Sequence, residues 1–163
     1  MGCLVFFFIE NFIACRSNPE ETSISSVPPL VRKLPVNFQE APNTCGPAAL
    51  LSICKFYGID TTEKEIALLA GTNQIGTSMY GLVQAAEKLG LKATGMELSL
   101  EELKSARKPL IAHVNGGHFV VVISFHEEQL TLIEPVLGVK SVSQVDFRRG
   151  WKGYVLLLEP RNK

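Results

Sequence analysis

The sequence predicts an α+β fold with a mainly antiparallel sheet. Between residues 47 and 106 apolar side chains recur at helical spacing, and after residue 109 they run as strands. The turns between those later runs, Asn115-Gly116-Gly117 and Glu127-Glu128, are short enough to join antiparallel neighbours. At 163 residues and 46% hydrophobic content the chain has length and composition for one domain with a real core.

The helical half opens at Pro47. Leu50, Ile53, Cys54 and Tyr57 stand at i, i+3, i+4 and i+7, and Gly58 ends the helix as its C′ residue. Thr62-Glu63-Lys64-Glu65 reads as a capping box for a short helix to Ala70, stopped by Gly71. Ser78 caps a third helix, Met79 to Leu89, whose apolar face is Leu82, Val83, Ala86 and Leu89. Ser99-Leu100-Glu101-Glu102 is a second capping box, for a helix to about Ala106. The period then changes. Pro109 to Val114 is a strand. His118 to Phe125 follows, and its run Val120-Val121-Val122-Ile123 suits burial on both faces. Gln129 to Ile133, Val139 to Val142 and Tyr154 to Leu158 complete the strands, joined as a meander.

The amino-terminal 33 residues read differently. Residues 1–15 hold four of the nine Phe and one charge, Glu10, which is too short an apolar stretch to span a membrane. Phe12-Ile13-Ala14-Cys15 is similar to a bacterial lipobox, so export with a membrane tether through Cys15 is one expectation. A mis-assigned start, and a cytoplasmic protein, is the other. Residues 16–33 are a polar, Pro-containing tether, and residues 34–160 the folded domain.

Composition removes several function classes. Sixteen basic and sixteen acidic residues cancel, which excludes a nucleic-acid partner held by phosphate neutralisation. Cys3, Cys15, Cys45 and Cys54 form no C-x-x-C pair, and His113 and His118 have no further ligand at zinc spacing, so no metal is expected. Gly71 to Ser78 has P-loop glycine spacing but Thr77 where the lysine belongs, which excludes ATP.

Cys45 carries the strongest chemical signal. It stands just before the first helix, in Asn43-Thr44-Cys45-Gly46-Pro47, where the positive end of the helix dipole favours a thiolate. Gly46 leaves room beside the sulfur for a substrate backbone. A small buried core residue is the alternative, and position alone leaves both open. Cys54, mid-helix on the apolar face, reads as core. A thiol nucleophile needs a base, and His118 stands at the mouth of the sheet after Gly116-Gly117. His113 reads as a strand residue and His126 as a solvated turn residue. Glu134 ends the strand after His118, beside it across a hairpin, and could orient the imidazole. An exposed strand-end carboxylate is the competing reading, weakened by apolar Leu132, Ile133 and Pro135. Gln39, six residues before Cys45, could donate to an oxyanion alongside the Cys45 N–H.

These motifs are collinear. In order they are Gln39-x5-Cys45-Gly46-Pro47-Ala48-Ala49-Leu50, Lys55-Phe56-Tyr57-Gly58, Gly76-Thr77-Ser78 to Gly81-Leu82, and Ala85 to Gly90. Then come Pro109 to His113, His118 to Val122, Glu134-Pro135, and Phe147 with Trp151-Lys152-Gly153. The series resembles the peptidase C39 family, papain-like cysteine peptidases that cut bacteriocin and signalling-peptide precursors after a double-glycine leader. The resemblance covers roughly residues 34 to 160 and implies a papain-like fold with amino-terminal helices on the sheet. It implies Cys45 as nucleophile, His118 as base, Glu134 as orienting acid and Gln39 as oxyanion donor, with no cofactor. Its implied partners are a peptide or protein substrate and an ABC-type peptide exporter. A catalytically weak module that binds leader peptides for such an exporter is the alternative. Glu134 stands where the family has Asp, and Thr44 replaces the Asp usual before the cysteine.

Overall fold

The computed structural model describes residues 33–161. The head and nearly all of the tether, with their expected lipidation at Cys15, lie outside those residues. Three helices come first: α1 (Cys45–Phe56), α2 (Glu63–Leu69) and α3 (Met79–Lys88). They are followed by β1 (Leu91–Glu97), α4 (Leu100–Ser105), β2 (Leu110–Val114), β3 (His118–His126), β4 (Gln129–Glu134), β5 (Gly138–Ser143), α5 (Gln144–Gly150) and β6 (Trp151–Pro160). The six strands form one antiparallel sheet in the order β1-β6-β2-β3-β4-β5.

Strands β2 to β5 are the expected meander. The rest of the sheet corrects the expectation: β6 inserts between β1 and β2, and β1 falls among the helices. Only Leu91 of β1 is buried, so the strand exists through its pairing with β6 and not through an apolar pattern of its own. The helix α5 was not expected either. Ser143 caps it by accepting from Asp146 N–H, 3.1 Å away.

Alternation along the central strands builds two cores. Ile111, Phe119, Val121, Ile123, Ile133 and Leu156 face α1 to α3, while Leu110, Ala112, Val120, Val122, Leu132 and Val155 face Leu103 of α4 and Phe147 of α5. The Val-rich strand is therefore buried on both faces, as its composition requires.

Caps explain where the helices start. Ser99 and Glu102 form the complete reciprocal box at α4. At α2 only half the expected box forms. Thr62 accepts from Glu65 N–H, but the Glu65 carboxylate takes the Thr61 hydroxyl at 2.8 Å instead. Gly81 lets α3 cross close to the end of α2, since a Cβ there would stand 2.1 Å from the Ala70 carbonyl oxygen.

Candidate active site

Cys45 is the first residue of α1, and its thiol lies at the edge of the helix-side core, 7% exposed. The cap residue Thr44 does not close the helix end. Its hydroxyl turns back into the loop, accepting from Ala41 N–H at 3.0 Å and donating to Ala41 O at 2.9 Å. The first amides of α1 therefore keep their positive ends for the site. Burial raises the Cys45 thiol, but the hydrogen bond with His118 and the N–H groups of Phe119 and Gly46 outweigh it, so the thiol lies below its ordinary value. The sulfur is 4.0 Å from the Gly117 carbonyl oxygen.

Gly46 corrects an expectation. A Cβ there would meet Phe119 and Thr77 at 3.2 Å and Leu82 at 3.3 Å. The missing side chain serves packing of α1 against β3 and the loop before α3. It does not open space for a substrate.

His118 begins β3 after a tight turn in which Asn115 (φ 51°) and Gly116 (φ 70°) both take positive φ. In the next ladder Val121 pairs with Ile133. Continuing that register sets Glu134 opposite Val120, with His118 two residues along on the same face, a diagonal neighbour. There His118 Nε2 stands 2.8 Å from Glu134 Oε1. The same oxygen accepts from Val136 N–H at 3.0 Å, which fixes the carboxylate. With the Nε2 proton directed at Glu134, Nδ1 is the nitrogen left for Cys45. The hydrogen bond with Cys45, and behind it the bond and charge of Glu134, raise His118 above its ordinary value against the opposing effect of burial. A lowered thiol beside a raised imidazole favours the thiolate–imidazolium pair.

Gln39 sits in a loop held from two sides. Its N–H donates to Pro135 O at 2.9 Å, next to Glu134. The following residue, Glu40, donates its N–H to the buried Glu63 carboxylate at 2.9 Å. The Gln39 side-chain amide gives one proton to Ala41 O at 2.8 Å. Its Oε1 is buried without a partner among the described residues. Sequence reasoning missed Glu63 as an anchor. A first-turn acid reads as exposed, and nothing local signals a contact 23 residues away.

The other predicted residues separate cleanly. Cys54 is fully buried and its thiol is pushed up to about 12 by burial. His126 is solvated, its side chain 82% exposed. His113 packs against Phe119 with ring centroids 4.9 Å apart. Among the described residues no cluster of His, Cys, Asp or Glu offers a metal site, and no helix is long and apolar enough to cross a membrane.

The family model of the peptidase C39 family matches residues 33–163. An uncharacterized protein of Methanothermobacter thermautotrophicus is 38% identical over 122 residues, 75% of this chain and 86% of its own length. The colicin V secretion/processing ATP-binding protein of Escherichia coli is 29% identical over 79% of this chain, which spans only 18% of that protein. Among solved structures, a double glycine motif protease from an AMS/PCAT transporter, in complex with a leader peptide, superposes with a TM-score of 0.76. It is 28% identical, and the match covers 78% of this chain and 92% of that one. The helices-on-sheet arrangement and the collinear match across the whole described domain agree: this chain belongs to the peptidase C39 family.

Proposed function

We propose that the chain is a cysteine peptidase that cleaves peptide precursors after double-glycine leaders, with Cys45, His118, Glu134 and Gln39 as its working residues. The observation that carries this reading is the His118 imidazole held 2.8 Å from Glu134 beside a Cys45 thiol that it lowers. His118 accepts the thiol proton, and the Cys45 thiolate attacks the scissile carbonyl carbon. The resulting oxyanion is met by the Cys45 N–H at the uncapped start of α1 and by the second amide proton of Gln39. The imidazolium then protonates the leaving amine, which departs and leaves a thioester. Water then attacks the thioester carbonyl carbon as His118 takes its proton, the C–S bond breaks to release the leader with a free carboxyl end, and His118 returns the proton to the Cys45 sulfur.

Relatives that are processing and transport ATP-binding proteins make a peptide exporter the expected partner, and the lipobox-like head would bring the domain to a membrane. The test is incubation of wild type and Cys45→Ala with double-glycine peptides, read by product mass. Cleavage after the second glycine by wild type alone supports the reading. Binding by both proteins without cleavage would leave the leader-binding module.

A further inference from the structure

On the helix-side face of the sheet, His113 sits at an irregularity. Between the pairs Ala112–Val155 and Val114–Trp151, β2 contributes His113 alone while β6 contributes Lys152, Gly153 and Tyr154. Gly153 at φ 95° makes this bulge possible, and Trp151 Nε1–H donates to Tyr154 O at 3.2 Å across it. Bulges of this kind re-aim side chains beside functional sites. Here the result is a cavity of about 340 Å³ lined by His113, Phe119, Thr77, Ser78, Met79 and Tyr154. A second hollow of about 330 Å³ shares His113, Thr77 and Ser78 and runs to Gly116 and Gly117. Gly117 is the residue whose carbonyl stands beside the Cys45 sulfur. The two hollows share Thr77, Ser78 and His113 and together make a trough that reaches Gly117, with His113 common to both.

Ile111, the preceding residue on this face of β2, is fully buried in the core. His113 instead leaves a polar ring half-buried in the trough. Among the described residues it packs on Phe119 and makes no side-chain hydrogen bond. An unpaired polar group in a largely apolar cleft is costly alone and is the kind of group that orients a ligand. Burial, then the neighbouring His118, lower the ring's basicity. A neutral imidazole carries one donor and one acceptor, which matches the two polar groups of a peptide unit.

We infer that His113 is a substrate-binding residue, which hydrogen-bonds the backbone of the peptide lying in this trough and sets its position against Cys45. The inference rests on the peptidase reading, so its test has one arm that needs no catalysis. In the first arm, kcat and KM for a double-glycine peptide are measured for wild type, His113→Ala and His113→Gln, together with the rate of Cys45 alkylation by iodoacetamide. His113→Ala should raise KM about tenfold with kcat within about twofold, the loss of one hydrogen bond to a bound ligand. His113→Gln should recover most of it, and alkylation should not change. In the second arm, the same peptide is titrated calorimetrically into Cys45→Ala and into Cys45→Ala/His113→Ala. A Kd weakened about tenfold by the second substitution supports the inference even if wild type cleaves nothing. Unchanged KM and Kd would overturn it, and so would alkylation and kcat falling as far as kcat/KM, which would mark a structural role.

Discussion

Replacing Glu134 separates charge from orientation, because both hydrogen bonds to the carboxylate converge on one oxygen. Oε1 accepts from His118 Nε2 at 2.8 Å and from Val136 N–H at 3.0 Å. The amide oxygen of Glu134→Gln can accept both in the same place, so the imidazole keeps its orientation. What is lost is the charge-assisted share, the difference between a bond to a charged acceptor and one to a neutral acceptor. That difference is about 1–1.5 kcal/mol, or about tenfold in kcat/KM. Glu134→Ala removes the acceptor altogether and frees both the ring and the turn at Val136. Losing orientation as well as charge should cost about 3–4 kcal/mol, roughly 100- to 1000-fold. The assay is kcat/KM on a double-glycine peptide, with melting temperature as the check on folding. Equal rates for wild type and Glu134→Gln would remove Glu134 from the machinery. Equal losses in Gln and Ala variants would show that charge, not orientation, is its whole role.

Three further outcomes are expected. Gly46→Ala drives a methyl to within 3.2–3.3 Å of Phe119, Thr77 and Leu82. It should destabilise by about 1–3 kcal/mol, read as a lowered melting temperature; no change would mean these neighbours yield freely. Ser99→Ala removes the reciprocal cap of α4 and should cost about 1 kcal/mol in denaturant titration, with Cys45 reactivity unchanged because the cap's hydrogen bonds join only Ser99 and Glu102. For the head, mass spectrometry of protein from its native cell should show a lipid-modified terminus at Cys15, whereas an intact Met1 in the cytosolic fraction would remove the tether.

Much of this fold is legible in the sequence because its elements follow local rules. Ser78, Ser99 and Thr62 mark helix starts, Gly58 and Gly90 mark ends, and Val120 to Ile123 announces a strand shared by two cores. What escaped depends on distant partners. The segment Leu91–Glu97 contains Lys92, Thr94 and Gly95 and buries one side chain, so only its ladder with β6 makes it a strand. The α5 segment is short and polar, although Ser143 and Asp146 did offer a cap signal at the right spacing. At the site, the placement of Cys45, His118 and Glu134 followed from a helix start, a hairpin and a strand register. The trough at His113 did not, since it comes from a bulge in β6, four strands further along the chain, at Lys152 to Tyr154. Nor did the anchoring of the Gln39 loop by Glu63, a contact made only when α2 folds against that loop.

The proposed chemistry requires His118 to hold Cys45 as a reactive thiolate. The direct measurement is the pH dependence of Cys45 alkylation by iodoacetamide in wild type and His118→Ala, with the site of labelling confirmed by mass. A group whose pKa is lowered becomes thiolate at lower pH, so the wild-type rate should rise with pH through a midpoint below the ordinary thiol value of 9.0. A second change should follow above the ordinary imidazole value of 6.5, where the raised His118 loses its proton and the ion pair ends. Without His118 the burial of Cys45 is opposed only by backbone N–H groups, so the midpoint should move up and the second change should vanish. Superimposable profiles for the two proteins, or a wild-type Cys45 as inert as the buried Cys54, would contradict the account.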